Sequence, residues 1–168
     1  MKLNLGCGNK KIQGYIGVDL IKSDASDVVH NLNKFPYPFE KNSVDEIILD
    51  NVLEHLDNVI GVMDEIYRIS KNGAKVKIYV PYAKSDGAFK DPTHKNFFTE
   101  KSFQYFQLDY KYNYYSKARF EIKQIKLLTF SNDIHQKIRN IFPCRNILKN
   151  FFWNMYDQIY FELICLKK

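Results

Sequence analysis

Apolar residues in this chain come in short bursts separated by turn residues, which favours strands over long helices. A first apolar run, Lys2–Leu5, enters a Gly6-Cys7-Gly8 turn. Asn9–Gln13 leaves room for about one helical turn at most. Gly14 stops it, and Tyr15–Val18 reads as a second strand ending at Asp19. The polar stretch Ser23–Asp27 leads to a third short strand, Val28-Val29. Asn31–Phe39 carries Pro36 and Pro38, which exclude helix and central strand, so it reads as an ordered loop. Its aromatics can pack on a flat ligand or under the loop. Val44–Asp50 has the apolar centre and charged flanks of a buried parallel strand. Asn51–Leu56 predicts a short helix or turn. Asp57 or Asn58 can then cap a helix over Val59–Ser70, with Val62, Ile66 and Ile69 on one face. Asn72-Gly73 closes that helix in a left-handed cap. Lys75–Val80 alternates strictly as a fifth strand, and Pro81 ends it.

Tyr82–His94 has no period. Thr99 caps a predicted helix through about Leu108, and Asp109–Ser116 is tyrosine-rich and irregular. Arg119–Thr129 and Tyr156–Leu166 alternate and pair antiparallel as the last two strands. Between them Asp133–Phe152 reads as one or two helices broken at Pro143. The order predicts an α/β, Rossmann-like sheet of about seven strands. It is mostly parallel, with an antiparallel C-terminal edge hairpin and a truncated first helix.

At 168 residues the chain is expected to be one domain, 1–168, with an aromatic and basic helical insertion at about 131–155. No apolar run reaches the roughly 18 residues of a membrane span. The start reads directly as a strand with no signal-peptide core, so a cytoplasmic location is expected. Cys7, Cys144 and Cys165 are scattered. They form no zinc spacing or disulfide framework, and no metal ligand is assigned. Charge is uneven: residues 1–100 hold 13 basic and 14 acidic side chains, and residues 101–168 hold 12 and 5. A basic second half suits an anionic partner such as RNA, a phosphorylated carrier or a membrane surface, or is solubilising surface charge.

Candidate chemistry starts at the first corner. Two glycines let a backbone approach a ligand closely, and an acid ending the next strand can accept hydrogen bonds from two ribose hydroxyls. The spacing from Gly8 to Asp19 is short for a dinucleotide site, where a third glycine and a full crossover helix intervene.

Leu3-Asn4-Leu5-Gly6-Cys7-Gly8 with Gly14 to Asp19 resembles the class I S-adenosylmethionine-dependent methyltransferases, closest to small bacterial members. Further blocks of the resemblance are Val28–Phe39, Ser43–Leu56 with its Glu54-His55-Leu56, Asp64–Gly73, and Asp91-Pro92-Thr93-His94-Lys95-Asn96-Phe97-Phe98-Thr99. Together they span about residues 2–105. The resemblance implies S-adenosylmethionine as cofactor, with the ribose hydroxyls on Asp19 and Gly6 and Gly8 meeting the methionine and ribose. Asn31 and Leu32 then lie beside the adenine. Asn4, Cys7, Leu20, Asp50, Asn51 and His55 are also expected at the cofactor pocket, with Cys7 expected to pack and not to attack and a structural role near the sheet edge equally open to His55. Two positions depart from the commoner motif: Asn4 stands for an acid and Lys10 for a third glycine. The first crossover helix is cut to a turn, and the helix that usually precedes the first strand is not in this sequence. A less enclosed cofactor, or cover from a second chain in a homodimer, follows.

Asp50-Asn51 is not the Asn/Asp-Pro-Pro-Tyr of base-amino methylation, and no Pro-Cys follows that strand. His94, with Asp91 three residues before it, is the candidate general base. The implied reaction is methyl transfer to an oxygen or nitrogen of a small-molecule or glycan-type acceptor, in a subfamily associated with surface polysaccharide pathways. RNA methylation and a non-catalytic cofactor-binding or partner module are the alternatives. The aromatics Phe97–Tyr115, with Lys111, Lys117 and Arg119, can stack on an acceptor. Ile138–Trp153 can lie on a membrane surface, and core packing or a dimer interface is the plainer use of both stretches.

Overall fold

The computed structural model describes residues 1–130, 141 and 144–167. Seven strands form one sheet: β1 (Lys2–Leu5), β2 (Ile16–Asp19), β3 (Val28–Val29), β4 (Val44–Asp50), β5 (Ser70–Pro81), β6 (Phe120–Leu128) and β7 (Gln158–Cys165). Their order is β3-β2-β1-β4-β5-β7-β6. The first five run parallel, and β7 lies antiparallel between β5 and β6. This is the predicted sheet, including the C-terminal hairpin. Residues 6–15 hold no helix, as the spacing implied.

Strand register explains which side is core. Leu3, Ile47, Val76 and Leu163 align across four strands, as do Leu5, Leu49, Ile78 and Phe161, and all eight are fully buried. The opposite face carries Lys2, Glu46, Lys77, Tyr79, Tyr160 and Glu162. Lys2 Nζ lies 3.1 Å from Glu46 Oε2, and Lys77 pairs with the same carboxylate. The Tyr79 and Tyr160 rings sit 4.7 Å apart. β4 is therefore not buried on both faces: Ile47 and Leu49 are in the core while Glu46 and Ile48 are half-buried on the other side. Alternation of this kind belongs to a sheet with one dry face.

Helix α1 (Val59–Ile69) covers the core face with Val62, Met63, Ile66 and Ile69. Burying each contributes about 1.5–3 kcal/mol relative to exposure. Asn58 is the cap, its Oδ1 accepting the Gly61 amide at 2.9 Å, while the Asp57 amide bonds Asn33. The Asn72-Gly73 pair is not the C-cap. α1 stops at Ser70, which already pairs with Val44, and Gly73 (φ +79°) turns inside a bulge where the register jumps to Glu46–Lys75. The same left-handed residue serves a cap and a bulge equally well. The two-proline loop is stitched to α1: Arg68 donates to the Tyr37 and Phe39 carbonyls, and Glu65 accepts the Tyr37 amide. Tyr37 is buried beneath the loop, which settles where its ring packs.

Beyond β5 a four-residue helix α2 (Asp86–Phe89) interrupts the stretch read as irregular. The helix predicted from Thr99 to Leu108 is instead a 3-10 turn over Ser102–Phe106. Phe98 still runs extended beside Tyr82, and the Ser102 hydroxyl takes the Thr99 amide. Phe103 and Phe106, three apart, then eclipse on one side and both enter the core. The Phe103 ring meets Phe161 of β7 at 4.6 Å. Residues 131–140 and 142–143 of the predicted insertion lie outside the described residues. The part that is described holds one short helix, Arg145–Leu148, and Phe151, Phe152 and Trp153 are exposed.

Candidate active site

The parallel strands end together, and the loops leaving β1, β2, β3 and β4 meet at that edge, where open α/β sheets place ligands. Gly6 and Cys7 donate their amides to the Val18 carbonyl at 2.7 and 3.1 Å. Asn4, buried in β1, reaches up to the Lys10 carbonyl at 3.1 Å and ties the loop to the sheet. Asp19 accepts the Gly8 amide on Oδ2 at 2.7 Å and the Ile21 amide on Oδ1 at 3.1 Å. Each oxygen keeps a second lone pair facing out. A Cβ on Gly8 (φ +52°) would meet nothing within 4 Å, so space lies over the turn. The corner therefore fits a nucleoside with two ribose hydroxyls. Gly6 has a different reason: at φ +70° its missing Cβ makes room for Val52, whose Cγ2 would lie 2.4 Å from that atom.

The His30 amide bonds the Asp19 carbonyl at 2.8 Å, which sets Asn31 beside the corner. Asn31 caps its own turn by accepting the Asn33 amide, and Leu32 is buried in the core. Leu20 is exposed next to Asp19. Cys7 is buried with Sγ 3.5 Å from the Ala25 carbonyl, and burial, with Asp19 adding, raises its thiol pKa. That matches packing, not nucleophilic attack.

At the end of β4, Asp50 Oδ2 accepts Lys10 Nζ at 2.7 Å. Asn51 stands in the left-handed region (φ +55°), held by its amide to the Tyr79 carbonyl and by Gln158, which donates to its Oδ1 at 3.1 Å. Asn51 and Gln158 form a wall between two hollows. One, about 530 Å³, runs from Lys10 and Ile12 to Tyr79. The other, about 560 Å³, holds Glu54, His55, Asp86, Lys90, Asp91 and His94.

His55 and His94 pack edge to face in the second hollow, ring centroids 4.7 Å apart. His94 Nδ1 lies 2.9 Å from the Ala88 carbonyl. A carbonyl only accepts, so Nδ1 carries a proton, and in the neutral ring Nε2 has the lone pair a base requires. Asp91 is not hydrogen-bonded to that ring: its Oδ2 is 3.9 Å from Nε2. Its Oδ1 instead accepts the Thr93 amide and hydroxyl at 2.8 and 2.7 Å, which hold its carboxyl below the usual range. Glu54 lies deepest, 1% exposed, with neither carboxylate oxygen hydrogen-bonded. Burial pushes its carboxyl up to about 7.

The structure thus gathers Asp19, Gly8 and Asn31 at one corner, Asp50 and Asn51 at the next, and His55, Asp91 and His94 beyond them. Lys10, Gln158 and Glu54 join these hollows without a sequence signal that marks them as site residues. In the sequence Lys10 is visible only as the residue filling the third glycine's place. Of the aromatics read as an acceptor platform, Phe98, Phe103 and Phe106 are core. Phe97 stacks on Phe89 at 4.5 Å, and Tyr112, Tyr114 and Tyr115 are exposed.

Residues 3–78 match the family model of a methyltransferase domain. A search of curated proteins finds no sequence match. Among solved structures, an S-adenosylmethionine-dependent methyltransferase from Archaeoglobus fulgidus is 18% identical, with a TM-score of 0.64. The alignment covers 99% of this chain and 85% of that one. A chain from the complex of the Haloferax volcanii Trm112 methyltransferase activator with a methyltransferase is 14% identical (TM-score 0.63, covering 99% and 82%). The [4+2]-cyclase SpnF is 12% identical (TM-score 0.61, covering 99% and 74%). The resemblance to class I methyltransferases is thus borne out, by sequence over residues 3–78 and by fold over the whole sheet. The sequence match implies S-adenosylmethionine as cofactor, and the solved structures show the shared fold. Among the described residues no helix is long and apolar enough to cross a membrane.

Proposed function

We propose that the chain transfers a methyl group from S-adenosylmethionine to an oxygen or nitrogen of a small-molecule or glycan-type acceptor. One observation carries this reading: the Gly8–Asp19 corner is followed, past the Asn51–Gln158 wall, by a polar hollow that contains an imidazole with a free Nε2. Asp19 would hold the ribose hydroxyls, and Leu20, Asn31 and Leu32 would border the adenine. Lys10 would turn from Asp50 toward the methionine carboxylate. The acceptor would enter the 560 Å³ hollow. As its oxygen attacks the methyl carbon, the carbon–sulfur bond breaks, S-adenosylhomocysteine leaves, and the hydroxyl proton passes to His94 Nε2. Positioning supplies most of the acceleration, up to about 7–11 kcal/mol in favourable cases. The hollow's volume is in the range of small-molecule sites.

Two proteins of the same fold act otherwise or in company: a cyclase, and a methyltransferase bound to an activator. A partner chain covering the short crossover loop here is consistent with the second. Labelled methyl transfer from S-adenosylmethionine to cell extracts tests the proposal. A labelled small product that His94→Ala no longer forms supports it. No transfer to any fraction by a chain that binds the cofactor product overturns it.

A further inference from the structure

Glu54, His55 and His94 each bring one ligand-type atom to within 4.8 Å of the other two. Their protons can be placed from their partners. His94 donates Nδ1–H to the Ala88 carbonyl. His55 Nδ1 is 2.9 Å from Thr93 Oγ1, and that hydroxyl spends its own hydrogen on Asp91 Oδ1 at 2.7 Å. The Thr93 oxygen must therefore accept, so His55 also carries its proton on Nδ1. In their neutral form both rings then have a bare Nε2. Glu54 adds two buried oxygens that nothing donates to. Electron pairs thus lie close together on three side chains, and no described residue donates a hydrogen bond to them. A buried carboxylate without a partner costs several kcal/mol. A single shared proton can pair at most two of these groups, whereas a cation satisfies all three.

We infer that Glu54, His55 and His94 bind one divalent transition-metal ion, through a carboxylate oxygen and two imidazole Nε2 atoms. The surroundings fit that use. Ligating histidines characteristically donate their other nitrogen to a carbonyl or a carboxylate-linked group, which fixes the tautomer and aims the ring. Ala88 does this for His94, and the Thr93–Asp91 pair does it for His55. Asp91 Oδ2, 3.9 Å from His94 Nε2, adds negative charge at the rim. Two imidazoles and one carboxylate suit zinc or iron(II) and are a poor set for magnesium or calcium, which take oxygen. Three protein ligands leave a coordination position open, and these three line the 560 Å³ hollow. On the reading of that hollow as the acceptor site, on which this consequence rests, an acceptor hydroxyl would bind the ion and lose its proton to water. The ion then takes the lone pair that His94 uses as a base in the metal-free chain. The carbon–sulfur and carbon–oxygen bonds change as before.

The test is calorimetric titration of the metal-stripped full chain with zinc chloride, and with magnesium chloride in parallel. One zinc ion per chain is expected, with no magnesium heat at the same concentrations. Glu54→Gln and His94→Ala should each weaken zinc at least tenfold, and His30→Ala should leave it unchanged. Thr93→Val, which removes the hydroxyl that links His55 to Asp91 and leaves the three ligands in place, should cost about 10-fold with the fold intact. Absence of zinc binding in a chain that still binds S-adenosylhomocysteine overturns the inference. So does zinc binding indifferent to both Glu54→Gln and His94→Ala. A chain that binds zinc at these residues but not S-adenosylhomocysteine keeps the metal site and removes the methyl-transfer reading.

Discussion

His55 and Thr93 are joined by a 2.9 Å hydrogen bond between ring Nδ1 and hydroxyl, which locks the loop after α2 onto the 3-10 turn Leu53–His55 that follows β4. The lock is wider than one contact. The Glu54 carbonyl accepts the amides of both Lys95 and Asn96, and the Asn96 side chain bonds the Leu53 and Leu56 carbonyls. Two sequence blocks far apart in the chain therefore build one wall of the hollow.

Asn96→Ala should loosen that wall. It removes two side-chain hydrogen bonds to half-buried carbonyls, each worth about 1 kcal/mol net. A loss of about 1–2 kcal/mol in urea unfolding is expected, together with weaker protection of the 91–98 amides in hydrogen exchange. Unchanged exchange would show that the loop is held elsewhere.

The two glycines of the first turn should separate on substitution. Gly6→Ala places a Cβ 2.4 Å from Val52 Cγ2 at φ +70°, so a loss of about 2–4 kcal/mol in stability is expected. Gly8→Ala meets no atom within 4 Å and should cost only about 1 kcal/mol for its backbone angle. Its main effect should be weaker S-adenosylhomocysteine binding. Denaturation and calorimetry on the pair distinguish the packing glycine from the ligand glycine.

Much of this was legible beforehand. The alternation of Leu3 with Leu5, Ile47 with Leu49, and Val76 with Ile78 and Val80 exposes the sheet directly, and the Gly-x-Gly turn with Asp19 exposes the corner. Other features were hidden for physical reasons. Phe103 and Phe106 are three apart, a spacing that α and 3-10 turns share, so the sequence could not separate them. Asn72-Gly73 meets the needs of a bulge as well as a cap. Glu54 stands in the sequence only as part of the Glu54-His55-Leu56 block, and its burial depends on the 91–98 loop, which is far off in the chain. Asn96 helps hold that loop through contacts that have no local signature.

Acid should act partly through Glu46. Burial would raise its pKa, but hydrogen bonds from Lys77, Tyr15 and Lys2 outweigh burial and hold it at about 2, against 4.5 when unfolded. A carboxyl depressed in the folded state contributes stability above its unfolded value. That contribution, on the order of 2 kcal/mol, drains away as pH falls from about 5 toward 2. Glu46→Gln should be less stable at pH 7 and show a shallower loss over that window, measured by denaturant midpoints at each pH.

The surplus of basic side chains in residues 101–168 and the exposed tyrosines at 112, 114 and 115 bear on the acceptor. An RNA-directed enzyme would lose affinity steeply with salt, by about 10³-fold or more between 50 and 200 mM for six or more phosphate contacts. A small-acceptor enzyme is expected to show weak RNA binding in a filter or polarisation assay, and no methyl label in RNA.

The most direct measurement is calorimetric titration of S-adenosylhomocysteine into the intact chain and into Asp19→Ala. One-to-one binding in the micromolar range is expected for the natural chain. Losing two hydrogen bonds to a charged acceptor, each about 1.5–3 kcal/mol, should weaken the variant at least tenfold. No heat with the natural chain, or equal affinity for both, would contradict the Gly8–Asp19 corner as the seat of the cofactor.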